Sequence, residues 1–369
     1  MNVVVIIPTY NERENIIILL DSLRRICATI KGYEFTLLVV DDNSPDGTAA
    51  QVLAYHKIHK DVEVLTGPKQ GLGRALLRGM THAVENLGAE ILVQIDGDLS
   101  HDPRKLPEFF HAIDKGYDFV IGSRYIPGGG IPPNWGIHRK AFSIVGNALV
   151  RFGLGFPRVH DWTGGFRVYH KRYYELLAPQ VRRYSGYVFQ IAFLHKAVLA
   201  GAKVFEVPFH FTDRMYGRSK IAPLQYIRNV ILYVVRARMR QAAYGSFGKF
   251  AVVGTIGLII NTLVLEVFVR VGQHPAVGSA LGAQTAIISN FFLNNSWTFK
   301  GRRVHGLGLI PKFFQFNLAS LGGLIIQAGS VAIGTQLWGR DSYRLFYVFG
   351  VGVGLMWNYV LYSRVIWKR

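Results

Sequence analysis

Ile91-Leu-Val-Gln-Ile-Asp-Gly-Asp-Leu-Ser-His101 is an apolar run that ends in two aspartates, Asp96 and Asp98. A short apolar run bounded by a turn reads as a strand buried on both faces. A strand that ends in Asp-x-Asp delivers two carboxylates to one edge of a sheet. Hard oxygen donors of that kind suit Mg²⁺ or Mn²⁺, above all a metal that also holds a diphosphate. A strand-end Asp-Gly is also a good turn, but the turn does not call for Asp98 as well.

The flanking sequence repeats the pattern. Val3–Pro8, Thr36–Val40, Val62–Leu65 and Asp118–Gly122 read as further strands, with Ile91–Ile95 the fourth of five. Helices fall between them. Asn11 with Glu14 has the spacing of a capping box, and Asp46-Gly-Thr48 turns into a second helix. A third runs from about Gly71 to Asn86, and Asp102-Pro103 opens a fourth, since proline is favoured in the first turn. Repeated strand–helix–strand units imply a largely parallel sheet with helices on both faces. Such sheets bind ligands beyond the carboxyl ends of their strands. Pro8-Thr-Tyr10, Asp41-Asp42, Asp96-Gly-Asp98 and Ser123-Arg124 follow strands one, two, four and five, and so share one rim. Asp41 and Asp42 are placed to hold ribose or base donors, or simply to build a solvated turn.

Residues 126–212 are less regular. Gly128-Gly-Gly130 and Pro132-Pro133 mark a loop, helices are expected over Arg139–Arg151 and Gly186–Ala200, and Lys203–Phe211 reads as a strand. Asp161-Trp-Thr-Gly-Gly-Phe-Arg167 packs an acid, a hydroxyl, two glycines and an arginine into one short loop. Arg214-Met-Tyr-Gly-Arg-Ser-Lys220 sets three cations around a glycine, as phosphate binding or a membrane-facing loop would use them. His101 reads either as a helper to the acidic pair or as an ordinary hydrogen-bonded histidine.

The last 120 or so residues have a different character. About 248–270, 276–294, 313–337 and 343–366 are long and apolar enough to span a bilayer. Gln273-His-Pro275 carries no Lys or Arg, whereas Lys300, Arg302, Arg303 and Lys312 crowd the next linker. The positive-inside rule then puts that linker, the C-terminus and the N-terminal domain in the cytosol. Gln225–Arg240 mixes Ile227, Val230, Ile231, Val234 and Val235 with four arginines, the pattern of a basic amphipathic helix on a membrane surface. The N-terminus lacks the basic segment and cleavage site of a signal peptide, and the one cysteine, Cys27, allows no internal disulfide. The chain has 369 residues, and Lys+Arg 42 against Asp+Glu 23 gives a formal charge of +19. Cytoplasmic loops, anionic lipid and phosphate substrates account for that excess. Nucleic acid is not an expected partner, because there is no aromatic-rich RNA motif, zinc spacing or basic tail. No pattern points to an oligomeric state.

Ile7-Pro-Thr-Tyr-Asn-Glu12, Val39-Val-Asp-Asp-Asn-Ser-Pro-Asp-Gly47, Gly71-Leu-Gly73, Asp96–His101, Gly122-Ser-Arg-Tyr125, Arg139-Lys140, Asp161–Arg167, Gly186-Tyr-Val-Phe-Gln190 and Gly217-Arg-Ser-Lys220 together carry a resemblance. The first 220 residues resemble the dolichol-phosphate mannose synthases of glycosyltransferase family 2, whose fold is GT-A. From about residue 247 the chain is similar to the small four-span family that accompanies such enzymes, including its Trp297-Thr-Phe299 element. The resemblance implies a Rossmann-like α/β GT-A domain over 1–220, a membrane-surface helix region over 221–246 and four transmembrane helices over 247–369. It implies inverting transfer of mannose from GDP-mannose to dolichyl or another polyprenyl phosphate at the cell membrane, with Mg²⁺ or Mn²⁺. Pro8, Tyr10, Glu12, Val39, Asp41, Asp42 and Gly97 would hold the nucleotide. Asp96 and Asp98 would take metal and diphosphate. Arg124, Arg139, Ser143 and Arg214 would grip the lipid phosphate, with Lys220 near the phosphates. Ser100 stands where the family often has a metal-assisting Gln, Ala192 where a Glu is common, and Arg218 where the family has a Glu. Two other readings stay open: glucose transfer from UDP-glucose to undecaprenyl phosphate, and a lipid-sugar flippase with a regulatory nucleotide-binding domain.

Overall fold

The computed structural model describes residues 1–213 and 223–368, which divide into two compact units, Met1–Ala237 and Arg238–Arg369. The first unit runs β1 (Asn2–Thr9), α1 (Arg13–Cys27), β2 (Glu34–Asp41), α2 (Thr48–Ile58), β3 (Val62–Thr66), α3 (Leu72–Glu85), β4 (Ile91–Gln94), α4 (Leu106–Asp114) and β5 (Phe119–Ser123). It continues with α5 (Ile137–Leu154), β6 (Arg167–His170), α6 (Lys171–Val181), α7 (Gly186–Leu199), β7 (Val204–Pro208) and most of α8 (Pro223–Tyr244).

The strands form one sheet in the order β3-β2-β1-β4-β6-β5-β7. β1 pairs parallel to β2 and β4, β2 to β3, and β5 to β7. Alternation along β1 shows why the strand reads as a solid apolar run. Val3, Val5 and Ile7 pack with Leu19, Leu20 and Phe109 on one face, and Val4 and Ile6 pack with Leu76, Met80 and Phe189 on the other. A central parallel strand buries both of its faces, so no polar alternation survives.

Three expectations change. The sheet has an unforeseen member, β6, antiparallel to both β4 and β5 and opposing Gln94 with Arg167. Four residues that run straight into α6 carry no periodicity long enough to read. The strand expected over Lys203–Phe211 covers only Val204–Pro208, and beyond it His210 forms an isolated bridge with Gly130. Asn11 does not cap α1. It has φ +59°, its N–H donates to Ser44 Oγ, and Glu12 takes the cap position instead, its carbonyl accepting from the N–H groups of Asn15 and Ile16. Asn tolerates the left-handed region well, so Asn11 serves the turn and not the helix.

The second unit holds α9 (Ser246–Arg270), α10 (Pro275–Leu293), α11 (Leu309–Trp338) and α12 (Tyr343–Leu361). Each expected span falls on one of these helices, with a π turn extending α10 to Thr298 and α12 to Ile366. Among the described residues, three stretches are long and apolar enough to cross a membrane: Ser246–Arg270, Gly306–Trp338 and Leu345–Ile366. Leu258, Ile259, Leu263, Leu318 and Ile325 are exposed, as hydrocarbon-facing positions are.

Candidate active site

The loop after β4 is built tightly. Asp98 is buried, and its Oδ1 accepts the Ser100 N–H at 3.1 Å and the Ser100 hydroxyl at 2.6 Å. Between them Leu99 has φ +62°, a conformation that costs a non-glycine residue energy and is kept only where the surroundings impose it. The Thr212 hydroxyl, donating to the Leu99 carbonyl at 3.1 Å, is one such constraint. Asp96 is more open, its side chain 34% exposed. His101 is buried and stacks on Phe166, and its Nδ1 accepts the Asp96 N–H at 3.2 Å while Nε2 lies 3.8 Å from Asp96 Oδ2. That geometry makes His101 a brace for Asp96. Gly165 is the other wall: a β-carbon there would sit 3.0 Å from Asp96 Oδ1.

Opposite the carboxylates stand the cations. Arg124, just past β5, donates from Nε to Asp161 Oδ2 at 2.7 Å and from Nη2 to Asp161 Oδ1 at 2.8 Å and Thr163 Oγ1 at 2.6 Å. Asp161 is fully buried, and its Oδ1 also accepts from the Gly164 N–H. Burial pushes its carboxyl upward, but the Arg124 charge and these hydrogen bonds outweigh that, and its pKa lies below the ordinary carboxylate value. Arg139, on α5, stacks on the Trp135 ring at 3.8 Å and lies 3.2 Å from Asp213 Oδ1, which also accepts from Trp135 Nε1 at 2.8 Å. One turn on, Ser143 Oγ meets the Tyr125 hydroxyl at 2.6 Å. Asp96, Asp98, Arg124, Arg139 and Ser143 line a single cleft of about 440 Å³, together with Phe142 and Tyr226.

Arg167, whose place in a glycine-rich loop hinted at a ligand, is instead wholly buried. It donates to the carbonyls of Gly164, Gln190 and Trp162, and burial lowers its pKa to about 10. Trp135, Asn147 and Asp213 shape the cleft without any sequence signal. Asp213 sits 78 residues from its tryptophan partner, a separation at which no local pattern speaks.

The remaining rim residues gather at the ends of β1 and β2. The Lys69 ammonium lies 3.4 Å from the Tyr10 ring centroid, and Glu12 Oε2 accepts from Asn15 Nδ2. Asp42 pairs with Arg78 at 2.8 Å. Asp41 is fully buried and both its oxygens are engaged, Oδ1 by the Thr9 and Ser44 hydroxyls and Oδ2 by the Ser44 N–H, so it braces its own turn. The Val39 side chain lies in the core, leaving only its backbone for the rim. Gly97 packs closely against Thr9 and the Pro8 carbonyl, which ties the acidic loop to the end of β1. Arg214 and Lys220 lie outside the described residues. Among the described residues no three His, Cys, Asp or Glu side chains gather into a metal cluster. As hard oxygen donors, Asp96 and Asp98 could hold a divalent cation such as Mg²⁺.

Residues 4–177 match glycosyl transferase family 2, and residues 249–367 match the GtrA/DPMS transmembrane domain. The chain is 29% identical over 373 residues to the dolichol-phosphate mannosyltransferase of Pyrococcus furiosus, covering 100% of this chain and 99% of that one. It is 39% identical over 226 residues to the polyprenol monophosphomannose synthase of Mycolicibacterium smegmatis, covering 59% of this chain and 80% of that one. Among solved structures, mannosyl-3-phosphoglycerate synthase from Rubrobacter xylanophilus superimposes with a TM-score of 0.48 at 18% identity, over 66% of this chain and 75% of that one.

Proposed function

Since the chain belongs to glycosyl transferase family 2 and carries a GtrA/DPMS transmembrane domain, we propose that this membrane enzyme transfers mannose from GDP-mannose to dolichyl or another polyprenyl phosphate. The observation that carries this reading is the single cleft in which Asp96 and Asp98 face Arg124, Arg139 and Ser143. A reaction that brings two anions together needs such a division.

A lipid monophosphate has a second pKa of roughly 6, so at neutral pH it is mostly a dianion and already a nucleophile. No protein base is required. Arg124 and Arg139 neutralise the acceptor phosphate and aim one of its oxygens at the sugar. Asp161 sets the Arg124 fork, and Trp135 with Asp213 sets the Arg139 plane. Ser143 adds a hydroxyl, and Arg214 and Lys220, implied by the resemblance, would add charge. Asp96 and Asp98 would hold Mg²⁺ or Mn²⁺, which supplies charge neutralisation on the leaving diphosphate. Pro8, Tyr10, Glu12 and Asp42, with the Val39 backbone and Gly97, would seat the guanosine, over the turn that Asp41 braces. The phosphate oxygen bonds to the anomeric carbon from the face opposite the diphosphate. The bond from that carbon to the diphosphate oxygen breaks, and GDP leaves with the electron pair. An α-linked donor thereby gives a β-linked lipid product.

The membrane side fits. α5, which carries Arg139 and Ser143 into the cleft, exposes Ile137, Val145 and Phe152. α8 buries Val230, Tyr233 and Val234 in the first unit yet exposes Ile231, Val235 and Met239, a second apolar stripe for a bilayer surface. The proposed organisation is a cytosolic domain over 1–220, a membrane-surface region over 221–246 and a spanning domain over 247–369 in the cell membrane.

The test is transfer of radiolabelled sugar from GDP-mannose, UDP-glucose and UDP-N-acetylglucosamine to a polyprenyl phosphate, with Mg²⁺, Mn²⁺ or chelator. Metal-dependent mannosyl lipid from GDP-mannose is expected. Activity with a UDP-sugar alone would replace the donor, and no transfer from any donor by a folded protein would overturn the reading.

Two substitutions follow from the cleft walls. Gly165→Ala pushes a methyl against Asp96, and misplacement on the order of 1 Å is expected to lower kcat by about 10²-fold with little change in melting temperature. Initial rates beside a thermal melt check it. Arg139→Lys loses the planar stack on Trp135 and the fork toward phosphate. About one charge-assisted hydrogen bond, roughly 1.5–3 kcal/mol, should be lost. Steady-state titration of the lipid should then show its KM raised about tenfold or more, with donor KM unchanged.

A further inference from the structure

The membrane unit contains a cavity of about 350 Å³ walled by all four of its long helices. Asn261 of α9, Asn290 of α10, Asn294 just past α10 and Asn358 of α12 line it. Oδ1 of Asn261, Asn290 and Asn358, and both side-chain polar atoms of Asn294, are buried with no hydrogen-bond partner. Asn294 is only 1% exposed. Glycines make the room: a methyl at Gly257 would strike Asn290, at Gly282 it would strike Asn261, and at Gly323 it would strike Asn358.

Amides laid over glycines are one way to pack helices in a membrane, but a packing amide finds its partner across the interface. These oxygens do not. Buried polar groups without partners are costly and in native proteins call for an explanation. No charged side chain lines the cavity among the described residues, so it is not built for a phosphate. Four asparagines make it equally unsuited to a bare hydrocarbon chain. Leu258 and Val351 line it and are also exposed on the outside of the unit, so it opens onto a wall that faces lipid.

We propose that this cavity binds the neutral, hydroxyl-rich headgroup of a membrane lipid, a glycosyl group, whose hydroxyls donate to the orphaned asparagine oxygens. The site is separate from the cleft at the strand ends and does not rest on the reading of that cleft.

The experiment uses the full chain in lipid nanodiscs and a photoreactive dodecyl mannoside, with adducts mapped by peptide mass spectrometry. Labelling is expected within the lining segments of α9, α10 and α12. Unmodified dodecyl mannoside should compete it away, and Asn290→Leu and Asn294→Leu should each reduce it about tenfold or more. Ala286→Leu fills the cavity with every amide in place and should reduce it too, so a misfolded asparagine variant does not decide the matter. Dodecyl phosphate, a chain without sugar, and free mannose should not compete. Equal competition by free mannose would make the site one for a soluble polyol and overturn the lipid headgroup. Equal competition by dodecyl phosphate, labelling unchanged in the variants, or no labelling in the cavity would each overturn the proposal.

Discussion

An Asp98→Asn chain is expected to transfer sugar about 10³-fold more slowly than the parent, a loss on the order of 4 kcal/mol in transition-state stabilisation. Asparagine keeps the shape of the side chain, and its Oδ1 still accepts the Ser100 N–H and hydroxyl that hold the loop. Leu99 therefore stays in its strained conformation and the melting temperature should hardly move. What disappears is a charge. Asp96 alone would then have to hold a cation whose other ligands are water and diphosphate. Initial rates at saturating donor and acceptor measure the effect, and raising Mn²⁺ should recover part of it. A variant that keeps half of its activity at chelator-sensitive metal levels would show that Asp98 is only a brace for the turn.

Asp161→Asn is expected to destabilise the catalytic unit by roughly 3–5 kcal/mol, because removing one partner of a buried ion pair strands the other. Arg124 is only 10% exposed, and Asp161 not at all. The amide can still accept from the Thr163 and Gly164 N–H groups, which keeps the loop assembled but takes the Asp161 charge away from the guanidinium. A fall of roughly 10 °C or more in the unfolding midpoint is expected for a unit of this size. The pH dependence carries its own sign. The Asp161 carboxyl is held below its unfolded value of about 3.9, so its contribution is complete above that pH and is lost as pH falls through the lower folded value. The gap in midpoint between parent and variant should therefore be level from neutral pH down to about pH 5 and close only in stronger acid. Thermal unfolding of the full chain across that range checks both the size and the shape. Transfer should fall as well, since Arg124 loses the fork that aims it into the cleft.

The parts of this fold that were legible in the sequence are those governed by local rules. β1, β2, β4 and β5 are apolar runs because helices cover both faces of the sheet, and the carboxylates and Arg124 that follow them reach one rim because parallel strands end on the same side. β6 was not legible, because four residues containing a buried arginine resemble a loop, and only the partners Gln94 and Ile121 on either side of it make Arg167 part of a strand. The same holds for the cleft. Asp96, Asp98, Arg124, Arg139 and Ser143 line one cleft, but the residues that hold them come from far along the chain. Asp161 is 37 residues from Arg124, and Asp213 is 78 from Trp135. Contacts of that range are set by topology. Asp41 shows the opposite error of scale. A surface-looking acid in a turn proved to be a wholly buried brace, because the Thr9 hydroxyl on the neighbouring strand and the Ser44 backbone both reach it.

The anomeric configuration of the lipid product tests the central claim most directly. Full-length enzyme in a bilayer, given GDP-mannose and a polyprenyl phosphate, should yield a product whose one-bond C1–H1 coupling reports a β linkage, the consequence of one displacement by a phosphate already ionised and held by arginines. An α-linked product would require a covalent intermediate or a different attacking group, and would contradict the division of the cleft into a carboxylate side and an arginine side.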